Sequence, residues 1–157
     1  MLNLEKSPTF EDFRGSFSPL KLKNKPDSVT CWDQVNVSVN NKKGTFRGMH
    51  YQSRIPQQKY IKVIEGSIVD YLYDLNTKEC YWFTLKNQDA IFVPKNFAHG
   101  FLTLEDNTIV TYLVEGEYDP SGEHSIPYTT IPEISKSVHE KFSLDQIIIT
   151  DKDAQGK

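Results

Sequence analysis

The stretch "KYIKVIEGSIVDYLYDL" at residues 59–75 predicts two β-strands that meet at a tight turn. Val, Ile and Tyr, which favour strands, are abundant in both halves. The halves meet at Glu65-Gly66-Ser67, where glycine and serine are typical of a turn between strands. This arrangement is the clearest local indication of the fold.

The rest of the central region continues the same pattern of short strand-like runs separated by turn residues. The runs cover residues 29–40, 45–52, 80–85, 90–94, 99–104 and 108–114. Because hardly any helical period interrupts them, they predict an all-β protein, either an antiparallel sandwich or a barrel. At 157 residues the chain fits one domain, residues 1–157.

The two ends of the chain differ from this central region. Residues 1–25 contain "FRGSF" and are expected to form an edge strand or an arm that reaches a partner subunit. Residues 133–157 are expected to form a short C-terminal extension, with one helical turn within "HEKFSLDQI" (139–147).

Composition excludes several classes of protein. A net charge of −3 without a dense Lys/Arg run argues against a nucleic-acid binder. Neither an apolar leader at the N-terminus nor a stretch of membrane-spanning length is present, so we expect a soluble cytoplasmic protein that does not bind membranes. Cys31 and Cys80 lie in apolar runs without metal-ligand spacing and are expected to be free, buried thiols in a reducing compartment.

Polar residues interrupt the strand "TFRGMHYQ" (45–52). Strict alternation places His50 with Gln52 on one face and Arg47 on the other. Gly48 predicts a bulge that re-aims one side chain, so that Arg47 and His50 both reach one cavity. Alternation in the next strand allows Lys59 to point inward, where an unpaired ammonium group needs a partner or a function.

Four interpretations of His50 and His99 are open from the residues alone. They are structural histidines, metal ligands, acid–base catalysts, or parts of a carbohydrate-binding barrel without chemistry. Small barrels that bind metals use a His-x-His pair, but position 52 is Gln52. Two histidines without a nearby carboxylate fall below the usual ligand count, so we predict no metal site. A neutral imidazole with a pKa near the working pH suits proton abstraction.

Several motifs together resemble the dTDP-4-dehydrorhamnose 3,5-epimerase family. They are "FRGMHYQ" (46–52), Lys59 after a "PQQ" spacer, "VPKNFAHGFLTLED" (93–106), "TYLVEGEYDPSGE" (111–123) and "TDKDA" (150–154). The resemblance runs from "FRGSF" (13–17) to "TDKDA" and so covers nearly the whole chain. It implies a cupin-type jelly roll (double-stranded β-helix) and a nucleotide-sugar epimerase that needs neither a metal nor another cofactor.

The resemblance also implies a catalytic set. His50 falls on the position of the family's base, which removes a proton from a carbon beside the keto group of the sugar. Lys59 falls on the lysine that faces the keto oxygen, where a cation stabilises the developing oxyanion. Tyr112 matches the tyrosine that returns a proton from the opposite face, and Asp153 matches the aspartate that hydrogen-bonds the base.

A second set falls on family positions that bind the substrate or line its pocket. Its members are polar or aromatic: Arg14, Gln34, Asn36, Arg47, Gln52, His99, Tyr118, Glu123 and Lys152. Arginine forks suit paired phosphate oxygens. In the family the N-terminal arm enters the pocket of the neighbouring subunit, so a homodimer with an exchanged arm is expected, and Arg14 is expected to act in trans.

The chain departs from the family pattern around the pocket rim. Gln34-Val35-Asn36 lacks an acid, Ser18-Pro19 replaces a glutamate, Glu117-Tyr118 replaces a double aromatic, and "PYTTIP" (127–132) replaces a tryptophan followed by acids. We therefore expect the same proton chemistry on a different nucleotide or sugar, or at only one of the two carbons beside the ketone.

The expected function is inversion of C3, C5 or both of a nucleotide-linked 4-keto-6-deoxy sugar, in deoxysugar or polysaccharide biosynthesis. The alternatives are a nucleotide-sugar 3,4-ketoisomerase, a barrel that binds a nucleotide sugar or carbohydrate without turning it over, and a metal-dependent oxygenase. The nucleotide, the sugar and the number of carbons inverted are not specified by the sequence.

Overall fold

Twelve strands are present in the part of the chain that the computed structural model describes, which is residues 31–157 and the backbone of three short segments before them. Those segments are β1 (Leu4–Lys6), β2 (Phe10–Asp12) and β3 (Gly15–Phe17). The remaining strands are β4 (Gln34–Asn40), β5 (Phe46–Gln52), β6 (Gln58–Glu65), β7 (Ser67–Asp74), β8 (Cys80–Lys86), β9 (Asp89–Val93), β10 (Phe97–Thr103), β11 (Thr108–Glu115) and β12 (Glu123–Ser125).

The strands form two facing five-stranded sheets, with β2 and β3 as a separate pair. The first sheet has the order β1-β9-β6-β11-β4, and the second has the order β12-β5-β10-β7-β8. Every pairing between these strands is antiparallel. The predicted antiparallel all-β architecture is confirmed, and the arrangement is that of a cupin-type jelly roll.

The tight turn predicted at residues 65–67 is present, but the strands on either side of it do not pair with each other. β6 belongs to the first sheet and β7 to the second, so the chain crosses between the sheets at Gly66. Gly66 has a φ of +80°, and a Cβ there would clash with Thr108 on β11. Glycine therefore makes this corner of the sandwich possible.

Apolar side chains fill two layers, one on each face of the second sheet. Between the sheets lie buried residues such as Ile61, Leu72 and Phe101. On the other face, Phe46, Met49 and Tyr71 pack against Ile134 and Val138 of the C-terminal segment. Because both faces of β7 are covered, its side chains are buried without a break from Ser67 to Leu72.

The C-terminal segment contains more helix than the sequence interpretation predicted. A 3₁₀ turn at Leu144–Gln146 lies within the predicted region, but α1 (Pro132–His139) and α2 (Asp151–Gln155) were missed, as was a 3₁₀ turn at Tyr128–Thr130. Proline occupies the first turn of α1, where its missing N–H costs nothing. Ile134 and Val138, four residues apart, then face the second sheet.

Strand β4 has its apolar side chains on the outside of the sandwich and its polar side chains on the inside. Its valines point away from the sandwich, with Val35, Val37 and Val39 exposed by 61%, 67% and 57%. On the other face Ser38 and Asn40 are buried. β4 is also an edge strand of the first sheet, so among the described strands only β11 pairs with it.

The two cysteines are free, as predicted, but the prediction that both are buried is wrong. Cys31 is exposed and Cys80 is partly exposed. Cys31 lies outside the strands, and Cys80 begins β8, which is an edge strand and therefore covered from one side only.

None of the helices within the described residues is both long and apolar enough to span a membrane.

The packing of α1 predicts that the C-terminal segment is part of the cooperative fold. Ile134 is fully buried, so Ile134→Ala should lower the free energy of unfolding by about 2–5 kcal/mol. Leu144, which is 70% exposed, provides the control, because Leu144→Ala should change stability by less than about 0.5 kcal/mol. Urea unfolding of both variants measures the difference, and equal stabilities would show that α1 is not part of the folded core.

Candidate functional site

A cavity of about 320 Å³ opens between the two sheets. Polar and apolar side chains from both sheets and from the C-terminal segment line it: Thr45, Phe46, Arg47, His50, Lys59, His99, Phe101, Tyr112, Ile148, Ile149, Thr150 and Asp153. Six of these were predicted from the sequence to be site residues, namely Arg47, His50, Lys59, His99, Tyr112 and Asp153.

A bulge at Gly48 brings Arg47 and His50 to the same cavity, as predicted. Opposite β10, the register of β5 shifts between the pairs His99–His50 and Phe101–Arg47. Gly48 has a φ of +116°, and a Cβ there would lie 2.6 Å from the carbonyl oxygen of His99. Only glycine fits this close approach, and without the shift Arg47 and His50 would point to opposite faces.

Asp153 lies directly against His50. Its Oδ1 is 2.6 Å from His50 Nε2 and also accepts a hydrogen bond from Ser125 Oγ at 3.1 Å. Its Oδ2 accepts the backbone N–H of Gly48 at 3.0 Å. Burial alone would raise the pKa of Asp153, but the hydrogen bonds from His50, Gly48 and Ser125 outweigh burial and lower it. Asp153 is therefore an ionised acceptor that orients the imidazole of His50.

Backbone hydrogen bonds of the C-terminal segment hold Asp153 beside His50. Residues Thr45 and Ile148 form a parallel bridge, in which Phe46 donates to the carbonyl of Ile148 at 2.8 Å and Ile148 donates to that of Gly44 at 2.9 Å. The Thr150 hydroxyl then caps α2 by accepting the N–H of Asp153 at 3.4 Å. The segment forms one wall of the cavity and fixes the carboxylate beside His50.

Tyr112 and Lys59 reach the cavity from the first sheet, opposite His50 on the second. Burial raises the pKa of Tyr112, while the charge of Arg47 and a hydrogen bond with Ser38 partly offset this effect. Burial lowers the pKa of Lys59 to about 8, against the charges of Glu123 and Asp70, which raise it. No described side chain forms a hydrogen bond or ion pair with the ammonium group of Lys59. This cation is available to a ligand.

The inward face of β4 links Tyr112 to Arg47. Ser38, the hydrogen-bond partner of Tyr112, lies 3.4 Å from Asn40 Oδ1, which accepts Arg47 Nε at 2.8 Å. Ser38 and Asn40 were missed by the sequence interpretation. The signal was available, since in "QVNVSVN" every second residue is polar and those residues share one face.

Gln34 and Asn36 belong to the same polar face. Asn36 is the direct cross-strand neighbour of Tyr112, and its amide oxygen accepts a hydrogen bond from Gln34. Neither side chain lines the cavity, so the two predicted binding residues extend the polar surface beyond it.

Tyr118, Glu123 and Lys152 form a separate polar cluster. Glu123 Oε2 accepts hydrogen bonds from Lys152 Nζ at 2.8 Å and from Tyr118 Oη at 3.1 Å. Burial raises the pKa of Glu123, but the hydrogen bond and charge of Lys152, with Tyr118 and His50, outweigh burial and lower it. Glu123 pairs with Gln52 on β5, and its charge raises the pKa of Lys59. This cluster therefore lies beside the cavity.

Gln52 has a location that the sequence interpretation did not anticipate. Its side chain is buried and outside the cavity lining. Its amide donates to the carbonyls of Ile55 at 2.7 Å and Glu117 at 3.0 Å, and accepts the N–H of Asp119 at 3.0 Å. Gln52 therefore anchors the loop that carries Tyr118. Arg14 lies outside the described residues.

His99 has a carboxylate partner that was missed. Its Nε2 is 2.7 Å from Oδ1 of Asp70, and both residues are buried. Asp70 shares the inward face of β7 with Ile68 and Leu72. A charged residue at an apolar position of "SIVDYL" (67–72) was the available signal.

The described residues contain no cluster of three or more His, Cys, Asp or Glu side chains arranged to hold a metal ion.

The arrangement suits proton transfer on two sides of a bound molecule. A carboxylate-oriented imidazole lies on one sheet and a phenol on the other. A free ammonium group in the same cavity can stabilise negative charge that develops between them.

Comparison with known proteins agrees with the fold. Residues 2–157 match the family model described as dTDP-4-dehydrorhamnose 3,5-epimerase. A protein of that name from Methanothermobacter thermautotrophicus is 35% identical over 132 residues, which are 80% of this chain and 69% of the relative. The chain spans only half the length of the relatives from Mycobacterium tuberculosis.

Solved structures are similar over almost the whole chain. The dTDP-4-dehydrorhamnose 3,5-epimerase of Bacillus anthracis, with TDP and PPi bound, is 32% identical with a TM-score of 0.79 and covers 98% of this chain and 91% of its own. A dTDP-6-deoxy-D-glucose-3,5-epimerase of Legionella pneumophila, in complex with dTDP-4-keto-L-rhamnose, is 28% identical with a TM-score of 0.82, covering 98% and 85%.

The lowered pKa of Lys59 predicts a measurable effect on stability. Below pH 8 the folded protein must hold a charged lysine in the cavity, so Lys59→Met should be more stable than the wild type at pH 7. Between about pH 8 and 10.5 the folded state releases this proton while the unfolded state keeps it, so wild-type stability rises with pH and the difference shrinks. Urea unfolding at pH 7 and at higher pH measures both effects.

Lys152→Met is the matched control. Glu123 raises the pKa of Lys152, which means that the folded state favours its charge, so this variant should gain no stability at pH 7. A Lys59→Met variant less stable than the wild type at pH 7 would contradict the prediction.

Proposed function

The chain belongs to the dTDP-4-dehydrorhamnose 3,5-epimerase family, and we propose that it inverts C3, C5 or both of a dTDP-linked 4-keto-6-deoxy sugar. The observation that carries the proposal is the pairing of His50 with Asp153 on one wall of a cavity that has Tyr112 and Lys59 on the other. This arrangement suits an epimerase, which removes a proton from one side of a carbon and adds one to the other side.

In the proposed mechanism His50 is the base. Because its Nε2–H donates to Asp153, Nδ1 is the ring nitrogen left to accept a proton. The C–H bond beside the 4-keto group breaks, its electrons form an enolate, and the proton moves to the imidazole. The carboxylate of Asp153 then stabilises the imidazolium. The ammonium group of Lys59 stabilises the negative charge on the enolate oxygen.

Tyr112 completes the inversion. Its phenol gives a proton to the same carbon from the opposite face, the carbonyl re-forms, and exchange with solvent restores the phenol and the neutral imidazole. The raised pKa of Tyr112 keeps the proton on the phenol until the carbanion forms. We propose that no metal or other cofactor takes part, since the existing ketone already acidifies the adjacent C–H bond.

Substrate recognition is proposed to use the polar groups around the cavity. The Nε of Arg47 is held by Asn40, which leaves the terminal guanidinium nitrogens for phosphate oxygens. Lys152 offers a further donor, Nδ1 of His99 can accept a hydrogen bond, and the exposed ring of Tyr118 offers a face for a base. Gln34, Asn36, Glu123 and, from the arm, Arg14 are proposed to complete the nucleotide site, with Gln52 supporting the loop of Tyr118.

Two of the departures from the family pattern are outside the lining of the cavity, which favours dTDP over another nucleotide. Val35, which replaces an acid, is 61% exposed on the outer face of β4. Tyr128, which replaces a tryptophan, is buried against Phe46 with ring centroids 4.6 Å apart. Of the others, Glu117-Tyr118 belongs to the rim loop and Ser18-Pro19 lies outside the described residues.

We further propose a homodimer with exchanged N-terminal arms. The exposed valines of β4 offer an apolar surface that a second copy of the chain would cover, and an unprotected edge strand favours such pairing. Within one chain, β1 pairs with β9 at the opposite edge of the sheet. Exchange would bring Arg14 to the partner's cavity. Free thiols at Cys31 and Cys80 fit a cytoplasmic site of action, in deoxysugar or polysaccharide biosynthesis.

Deuterium exchange tests the reaction. In deuterated water the wild type should introduce deuterium at C3 or C5 of dTDP-4-keto-6-deoxyglucose, measured by NMR. His50→Asn should lose at least about 100-fold of this activity, because no other group removes the proton. Tyr112→Phe should lose inversion more severely than exchange, because His50 can still remove the proton and return a deuteron to the same face.

His139→Asn, on the surface of α1, is the control and should exchange at the wild-type rate. Binding without any exchange in the wild type would identify a non-catalytic binding protein. Migration of the keto group would identify a 3,4-ketoisomerase.

Complementation tests the exchanged arm. Arg14→Ala and His50→Asn should each be inactive alone, but co-expression should restore about one quarter of wild-type activity. The reason is that half of the dimers would be mixed, and one site in each mixed dimer would combine an intact Arg14 with an intact His50. No recovery in mixed dimers that are verified by mass spectrometry would place Arg14 in its own chain's site or outside any site.

A further inference from the structure

Asp70 is a buried acid that the proposed mechanism does not use. It is 0% exposed, and its Oδ1 bonds to His99 Nε2 at 2.7 Å. Its Oδ2 is buried without a hydrogen-bond partner among the described residues. Buried carboxylates are normally satisfied on both oxygens, because an unpaired one loses its hydration without compensation. An exception of this kind calls for an explanation.

The surroundings of Asp70 make its charge effective over a distance. On β7 it lies between Ile68 and Leu72 in the apolar layer between the sheets. Its cross-strand neighbours are Phe101 on β10 and Phe83 on β8. Apolar neighbours screen a charge much less than water does, so groups in the adjoining cavity respond to it.

Lys59 is the group that responds. Burial lowers the pKa of Lys59 to about 8, and the charges of Glu123 and Asp70 act in the opposite direction. Without them the ammonium group would lose its proton still more readily. An uncharged amine could not stabilise an enolate oxygen in the way that the proposed function requires.

The other charged groups around the cavity are already compensated. Glu123 lies 2.8 Å from Lys152 and 3.8 Å from Lys157 and is reached by solvent. Asp153 is bound to His50.

The remaining titratable groups that line the cavity, Arg47, His99 and Tyr112, do not add negative charge near neutral pH. Glu123 acts more strongly than Asp70 on the pKa of Lys59, but Asp70 is the acid that has one buried oxygen without a hydrogen-bond partner among the described residues.

We propose that Asp70 is the positioning residue of this cavity: Oδ1 fixes the ring of His99, which lines the cavity together with Lys59, and the negative charge of Asp70 adds to that of Glu123 in holding the ammonium form of Lys59. With Nε2–H directed to Asp70, the Nδ1 atom of His99 is the nitrogen left to meet a ligand. The effect matters most when substrate fills the cavity and displaces water, since the ammonium group then depends on nearby protein charge. The catalytic part of this inference rests on the proposed function.

Chemical labelling of Lys59 tests the charge effect without using activity. Acetic anhydride modifies only the uncharged amine, and mass spectrometry follows Lys59 across a pH series. Asp70→Asn should move the midpoint of reactivity to lower pH, which makes Lys59 roughly three- to tenfold more reactive at pH 7. Glu65→Gln, an exposed acid at the end of the strand that carries Lys59, is the control and should leave the midpoint unchanged.

Kinetics then test the consequence for the reaction. Asp70→Asn should move the alkaline limb of kcat/KM for deuterium exchange to lower pH by the same amount, whereas a purely structural defect would lower activity equally at every pH. His99→Asn removes the imidazole but keeps the charge of Asp70, so its alkaline limb should stay in place.

An unchanged Lys59 midpoint in a folded Asp70→Asn protein would overturn the inference. If this variant does not fold, Asp70→Ser removes the same charge with a smaller side chain and is measured in the same way. A wild type that exchanges no deuterium would refute the proposed function, while the labelling result would still decide whether Asp70 controls the charge of Lys59.

Discussion

The hydrogen bond between Asp153 and His50 joins the C-terminal segment to β5 of the second sheet, and the site depends on both. It connects residues 103 positions apart, across a distance of 2.6 Å. The same carboxylate accepts the backbone N–H of Gly48, so the bulge that turns His50 into the cavity is held by the group that orients its ring. A charge-assisted hydrogen bond of this kind contributes about 1.5–3 kcal/mol, and here it also gives the C-terminal segment a defined position.

Some charged groups around the cavity form hydrogen bonds with protein partners, and others do not. Asp153 is satisfied by three donors, and Arg47 is held on one side by Asn40. Lys59 and one oxygen of Asp70, by contrast, have no hydrogen-bond partner among the described residues. A buried charged group without a hydrogen-bond partner is energetically costly, and proteins retain such groups mainly where a ligand or a reaction uses them.

Strand β4 shows how one element serves two surfaces. Its polar side chains join the hydrogen-bonded row that runs from Tyr112 through Ser38 and Asn40 to Arg47. Its valines are left on the outside, where a single chain does not cover them. We therefore propose that β4 contributes to both the active site and the dimer interface. Because side chains alternate along a strand, the residues for the two roles lie on opposite faces.

The strand pattern, the turn at residues 65–67 and the consequence of Gly48 were all predictable from the sequence, because alternation and glycine act over a few residues. The grouping of His50, Lys59 and Tyr112 followed from family motifs, whose spacing carries information that local rules do not.

Only the tertiary structure decided that β6 and β7 belong to different sheets, that Gln52 supports a loop, that Asp70 faces His99, and that α1 covers the second sheet. Each of these depends on contacts between distant residues, and such contacts are set by how the sheets and the C-terminal segment pack together rather than by the conformational preferences of neighbouring residues.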